Sequence, residues 1–163
     1  LLRDGFHEQS PGGSVHLRDD GSAALNYPLN DYVMQGARKA LLSMAEIQFA
    51  AGARTVLPIH EHAQPYADWP SARSAIAALP MQPLLAKFVS AHVMGGCGLA
   101  STAKHGVTRP DGQHWQIDNV SIHDGSLFPT SIGANPQLSV YGIANRLAQS
   151  LAKRLTGASM ALA

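Results

Sequence analysis

The chain has 163 residues, 45% hydrophobic and 14% charged, which suits one domain with a real core. A net charge of +1 offers no strong field for nucleic acid or an anionic surface, and no apolar run is long enough to span a bilayer. The single cysteine, Cys97, excludes an intrachain disulfide and leaves the redox compartment open.

The chain begins Leu1-Leu2-Arg3-Asp4, without methionine and without the basic-then-apolar order of a signal peptide. It reads as an internal cut that makes this chain a C-terminal portion or one product of a split protein, with a processed mature chain as the alternative. Residues 1–13 are polar and glycine-rich and predict a loop. Ser14 to Arg18 alternates apolar and polar residues, as a half-buried strand does. Asp19-Asp20-Gly21-Ser22 suits a hairpin turn, and Ala23 to Tyr27 is the return strand, stopped by Pro28. Asn30 or Asp31 can cap the next helix, whose predicted core stripe is Val33, Ala37, Ala40, Leu41, Met44 and Ile47. Gly52 ends that helix, and Arg54 to Leu57 predicts a short strand.

His60-Glu61-His62 follows. On a strand the two histidines would share a face and could bind a metal. No further ligand is evident nearby, so no metal site is assigned. Trp69 to Leu79 predicts a short alanine-rich helix, Pro80 and Pro83 bracket a break, and Leu84 to Val89 is an apolar run of ambiguous type. Ser90 to Met94 predicts a strand carrying His92, and Gly95-Gly96-Cys97-Gly98 a tight turn. That turn is no dinucleotide fingerprint, because no strand–GxGxxG–helix unit surrounds it. Arg109-Pro110-Asp111-Gly112 predicts a second hairpin turn leading to a strand near His114 to Ile117, and Val120 to His123 a strand delivering Asp124-Gly125. The last element is a helix from Pro136 to about Leu155 with a wide stripe of Val140, Ala144, Leu147, Leu151 and Leu155, and Lys153 and Arg154 where cations suit the helix dipole.

Two of these stretches, Ala91-His92-Val93-Met94-Gly95-Gly96-Cys97-Gly98 and Asp124 through Asn135-Pro136, resemble the C-terminal part of the glucose–methanol–choline family of flavin oxidoreductases. The likeness is nearest to the branch with a His-x-x-Gly-Gly-Cys motif, which includes sterol oxidases, and it covers roughly Ser14 to Leu155. The resemblance implies that His92 is the base for alcohol oxidation and that Asn135 stands beside it as the second catalytic residue. It implies FAD as cofactor, with Asp124 and Gly125 near the ribityl–pyrophosphate chain and Asn135, Pro136 and Gln137 at the ring edge. Many relatives carry His where Asn135 stands, and small hydroxyl residues are common where Gln137 stands. Sterol oxidases also use a glutamate, for which Glu61 is a candidate.

This chemistry is physically sensible. Oxidising an alcohol removes a proton from oxygen and a hydride from carbon, and no side chain accepts a hydride. Histidine suits the base because its unperturbed pKa is about 6.5. Asparagine cannot take the proton but can donate to the substrate oxygen.

The expected fold class is α+β, an antiparallel sheet with helices on one face plus a C-terminal strand–loop–helix that would complete a flavin-binding domain. The sheet is expected from the hairpins near 14–27 and 107–117, backed by the helix near 31–51. The expected division is a loop over 1–13, a substrate-binding part over 14–119, a segment returning to the flavin domain over 120–155 and a frayed tail over 156–163. The expected partners are a small-molecule alcohol and the missing N-terminal FAD-binding portion, with no nucleic acid and no transmembrane segment. This chain alone is not expected to hold FAD, since the motif for its pyrophosphate is missing. A non-catalytic binding or accessory module of the same fold is the alternative reading.

Overall fold

The computed structural model describes residues 4–5, 7–10 and 12–158. The extreme start of the expected N-terminal loop and the last part of the expected frayed tail, residues 1–3 and 159–163, lie outside the described residues. The chain divides into two compact units, Leu1–Val89 and Ser90–Ala163, and the secondary structure is α+β.

The first unit opens with an antiparallel hairpin of β1 (Ser14–Leu17) and β2 (Ala23–Asn26), with Val15 opposite Leu25 and Leu17 opposite Ala23. The register puts Val15, Leu17 and Leu25 on one face. That face is not half-buried as the alternation predicts: all three side chains are exposed. The sheet of the described residues has two strands, and residues 107–117 add none to it.

Helix α1 (Asp31–Ala50) starts at Asn30, whose side-chain oxygen accepts from the Val33 N–H at 3.1 Å. It ends in a Schellman arrangement, with the Gly52 N–H donating to the Phe49 carbonyl and the Ala53 N–H to the Gln48 carbonyl. Helix α2 (Trp69–Ala78) is capped by Asp68, which accepts from the backbone N–H and the hydroxyl of Ser71. The two helices pack on small residues, Ala45 from α1 and Ala72 from α2, with Ile76, Leu79, Val56 and Ala63 filling the core. The α1 stripe is therefore rotated from the predicted one. Val33, Met34, Ala37 and Ala45 are buried, while Met44 and Ile47 face out. Short side chains let the helix axes approach, and longer ones one step round the helix are left outside. The Arg38 guanidinium donates to the Ile76 and Ala77 carbonyls at the end of α2, where unpaired carbonyls favour a cation.

Residues 54–57 do not form the predicted strand. Val56 makes one antiparallel bridge to Tyr66, with both backbone hydrogen bonds at 2.9 Å, and the intervening loop carries His60. Leu84 takes a positive φ of 72° and is exposed, so the ambiguous apolar run resolves as irregular chain.

The second unit is loops pinned by isolated bridges, a short 3₁₀ turn at Gly125–Leu127, and helix α3 (Gln137–Thr156). The strands predicted at 90–94, 114–117 and 120–123 are not formed. Leu99 pairs with Thr108, Thr108 with His114, and Gln113 with Ser121, one bridge each. Thr108, Leu127 and Leu147 are its buried centre. Leu147 is the one buried residue that α3 contributes among the described residues. Of the wide stripe Leu155 is exposed and Val140, Ala144 and Leu151 are half-buried, while Leu138 and Tyr141, which lie off the stripe, are exposed. Lys153 and Arg154 do fall in the last turn, and Gly157 closes it with a left-handed φ of 72°.

Candidate functional site

The two motif stretches meet through their backbones. The N–H groups of Gly95, Cys97 and Leu99 donate to the carbonyls of Gly125, Ser126 and Leu127 at 3.2, 2.9 and 3.0 Å. These three bonds do the work of a strand pair where neither partner has strand geometry. The contact is close: a Cβ placed on Gly125 would sit 3.3 Å from the Val93 carbonyl oxygen. A side chain at 125 would therefore press on the chain that follows His92, whatever else it faces.

His92 lies in an irregular stretch rather than at a strand end, and is half-buried. Its ring makes no hydrogen bond or ion pair with a described residue, so both imidazole nitrogens are available. His60 is the contrast. It is buried, its Nε2 lies 3.0 Å from the Pro80 carbonyl, and its Nδ1 accepts from the His62 N–H at 3.1 Å. Those partners put the proton on Nε2 and make His60 a scaffold residue. Glu61 pairs with Lys87 at 2.9 Å. The hydrogen bond from Lys87 holds the Glu61 carboxyl below its ordinary range.

Asn135 does not cap α3. Pro136 occupies the cap position (φ −88°, ψ −3°) with no side-chain hydrogen bond, and α3 begins at Gln137. The Asn135 side chain is exposed and makes no hydrogen bond to the first turn. The first turn has no acidic residue and no side-chain cap. The Gln137 side chain is turned along the helix, donating to the Tyr141 hydroxyl at 2.7 Å. What remains at the start of α3 is a set of backbone N–H groups at the positive end of the helix dipole, an arrangement that suits a negatively charged atom.

Asp124 is exposed and caps the 3₁₀ turn, its Oδ1 accepting from the Ser126 N–H at 2.8 Å and the Ser126 hydroxyl at 2.5 Å. Those two bonds, the hydroxyl's first, hold its carboxyl below the ordinary value. Cys97 is half-buried and free. An open groove of about 620 Å³ runs along α3 between His123, Ala148, Leu151, Ala152 and Leu155. None of the residues nominated from the sequence lines it.

The family model described as GMC oxidoreductase matches residues 9–144. The chain is 28% identical to the long-chain-alcohol oxidase FAO4A of Arabidopsis thaliana over 141 residues, 78% of this chain and 19% of that protein. It is 35% identical to the long-chain-alcohol oxidase FAO1 of the same plant over 69 residues, 40% of this chain and 9% of that protein. It is 35% identical to the cholesterol oxidase of Acinetobacter baumannii over 57 residues, 35% of this chain and 10% of that protein. The matched stretches thus span 19% or less of the length of these three relatives.

Proposed function

Because the chain belongs to the GMC oxidoreductase family, we propose that it is the C-terminal, substrate-side portion of an FAD-dependent enzyme that oxidises the CH–OH group of an apolar alcohol to a carbonyl. Residues 14–119 would form its substrate-binding part and residues 120–155 the return to the flavin-binding part. The substrate class follows from the relatives, whose names specify a long-chain alcohol and cholesterol.

In this reading His92 is the base. A free imidazole nitrogen takes the hydroxyl proton as the carbon gives up its hydride. Asn135 donates from its amide nitrogen to the same oxygen and fixes the angle of approach. Bound FAD supplies the hydride acceptor that no side chain can provide. The start of α3 fits that group, since its uncapped N–H groups would stabilise negative charge on the reduced ring. Asn135, Pro136 and Gln137 would hold the ring edge, and Asp124 and Gly125 the linker. With its Oδ1 committed to Ser126, Asp124 would meet the linker through Oδ2.

The observation that carries this reading is the three-bond contact between residues 95–99 and 125–127. It sets the segment behind His92 against the segment that leads on to Asn135. The test uses the full-length flavoprotein, mixed anaerobically with a long-chain primary alcohol or cholesterol. The flavin should bleach, and His92→Ala should slow the bleaching by about 10²–10⁴-fold, the usual weight of a positioned base. A His92→Ala protein reduced at the wild-type rate removes His92 from the mechanism, and a wild-type flavin that neither alcohol bleaches favours the non-catalytic reading.

A further inference from the structure

We infer that Thr108 is a positioning residue for His92, its buried hydroxyl clamping the Cys97 carbonyl and so fixing the glycine turn that presents the base. The inference rests on the assignment of His92 above, and no resemblance points to this residue.

Thr108 is 0% exposed. It holds the turn at three points: its Oγ1 donates to the Cys97 carbonyl at 2.8 Å, its N–H donates to the Gly98 carbonyl at 3.2 Å, and its carbonyl accepts from the Ala100 N–H at 2.9 Å. The opposite edge of the same turn is held by the bonds to residues 125–127. The peptides from Cys97 to Leu99 are therefore gripped from two sides.

The grip is needed because the turn has little stiffness of its own. Gly95 and Gly96 both take positive φ, 90° and 108°, and glycine leaves such a backbone free to move. A base misplaced by about 1 Å can cost about 10²-fold in rate. The bonds from Gly95, Cys97 and Leu99 go to backbone carbonyls, so Thr108 supplies the one side-chain clamp on the Cys97 carbonyl among the described residues. Valine at 108 would fill the same volume and leave that carbonyl without its donor. Serine would keep the donor and lose only a methyl group.

Two measurements test this. In the 163-residue chain, amide exchange at Cys97 and Leu99 should speed up about tenfold in Thr108→Val, the scale of one lost buried hydrogen bond. It should stay near the wild-type rate in Thr108→Ser. In the full-length flavoprotein at saturating alcohol, Thr108→Val should slow flavin reduction by about 10–10²-fold, with Thr108→Ser within about threefold of wild type. Both variants are expected to lose thermal stability, so a purely structural role would make the rate follow stability in both. Serine as slow as valine, or unchanged exchange in Thr108→Val, overturns the inference. If His92→Ala slows reduction and a folded Thr108→Val does not, the clamp fails and the base stands. If His92→Ala runs at the wild-type rate, the premise falls and the clamp with it.

Discussion

The same five-residue turn is built once in each unit. Arg18-Asp19-Asp20-Gly21-Ser22 and Arg109-Pro110-Asp111-Gly112-Gln113 share their geometry bond for bond. The first arginine's N–H donates to the fifth residue's carbonyl, at 2.9 and 2.7 Å, and the glycine N–H donates back to the arginine carbonyl, at 2.9 Å in both. The third residue's carboxylate accepts from the fifth residue's N–H, at 2.9 and 3.1 Å. The glycine takes φ 82° in one and 88° in the other. This is the three-residue hairpin loop that ends in a left-handed residue. What differs is the surroundings. Around the first turn β1 and β2 are open to solvent, while Gly112 is buried with the Leu147 side chain 3.3 Å from where its Cβ would be. Local chemistry sets the shape of the turn, and burial sets what the turn is worth.

The largest expected effects test that second half. Leu147 is 3% exposed and Leu17 is 79% exposed. Leu147→Ala should destabilise the second unit by about 3 kcal/mol, as buried leucine truncations do. Leu17→Ala should fall within about 0.5 kcal/mol, as surface changes do. The two tryptophans, Trp69 and Trp115, lie one in each unit, so denaturation followed in single-tryptophan versions reads the two units separately. Equal costs would mean that the hairpin face is covered in solution.

Next come the two glycines. Alanine at 21 meets nothing within 4 Å, so it carries only the left-handed strain, about 1 kcal/mol. Alanine at 112 adds the contact with Leu147 to the same strain, for a total of about 2 kcal/mol. The ordering of the two costs, read by the same fluorescence, is the firm part. A Gly21→Ala cost equal to or above that of Gly112→Ala would break the link between burial and turn energetics.

The comparison also explains what the sequence could say. Both turns were legible because Asp-Gly chemistry acts within five residues. Helix α1 was legible for the same reason: Asn30 caps it by its own side chain. The strands predicted around His114 and Val120 were not formed, because single bridges between neighbouring loops stand there in place of a ladder. The rotated stripe of α1 was missed because periodicity marks apolar faces and not the one that α2 selects. At the candidate site, His92 and Asn135 stood out by motif, whereas Thr108 carries no local signal. Its importance lies in a hydroxyl reaching Cys97, eleven residues back.

The smallest effect concerns the carboxylate of the exposed turn. Hydrogen bonds from Ser22, the hydroxyl's first and the backbone N–H's second, hold the Asp20 carboxyl below its ordinary value. The folded state therefore favours the ionised form. Whatever that bonding contributes is fully present above the unfolded value of about 3.9, and it is lost as pH falls through the depressed folded value. It is a local effect, since Asp20 stands in solvent and its bonds reach only two residues on. The readout is the Ser22 amide resonance, which should titrate with a midpoint below about 3.9. Asp20→Asn keeps an acceptor oxygen and removes the charge, so the titration should vanish while the hairpin signals from residues 14–26 stay in place. A Ser22 midpoint at or above the ordinary carboxylate value would show that the Ser22 bonds do not favour the ionised form, and a hairpin that melts in Asp20→Asn at neutral pH would show that the charge does more than cap its own turn. The five-residue unit could then no longer be treated as one self-contained device used in two places.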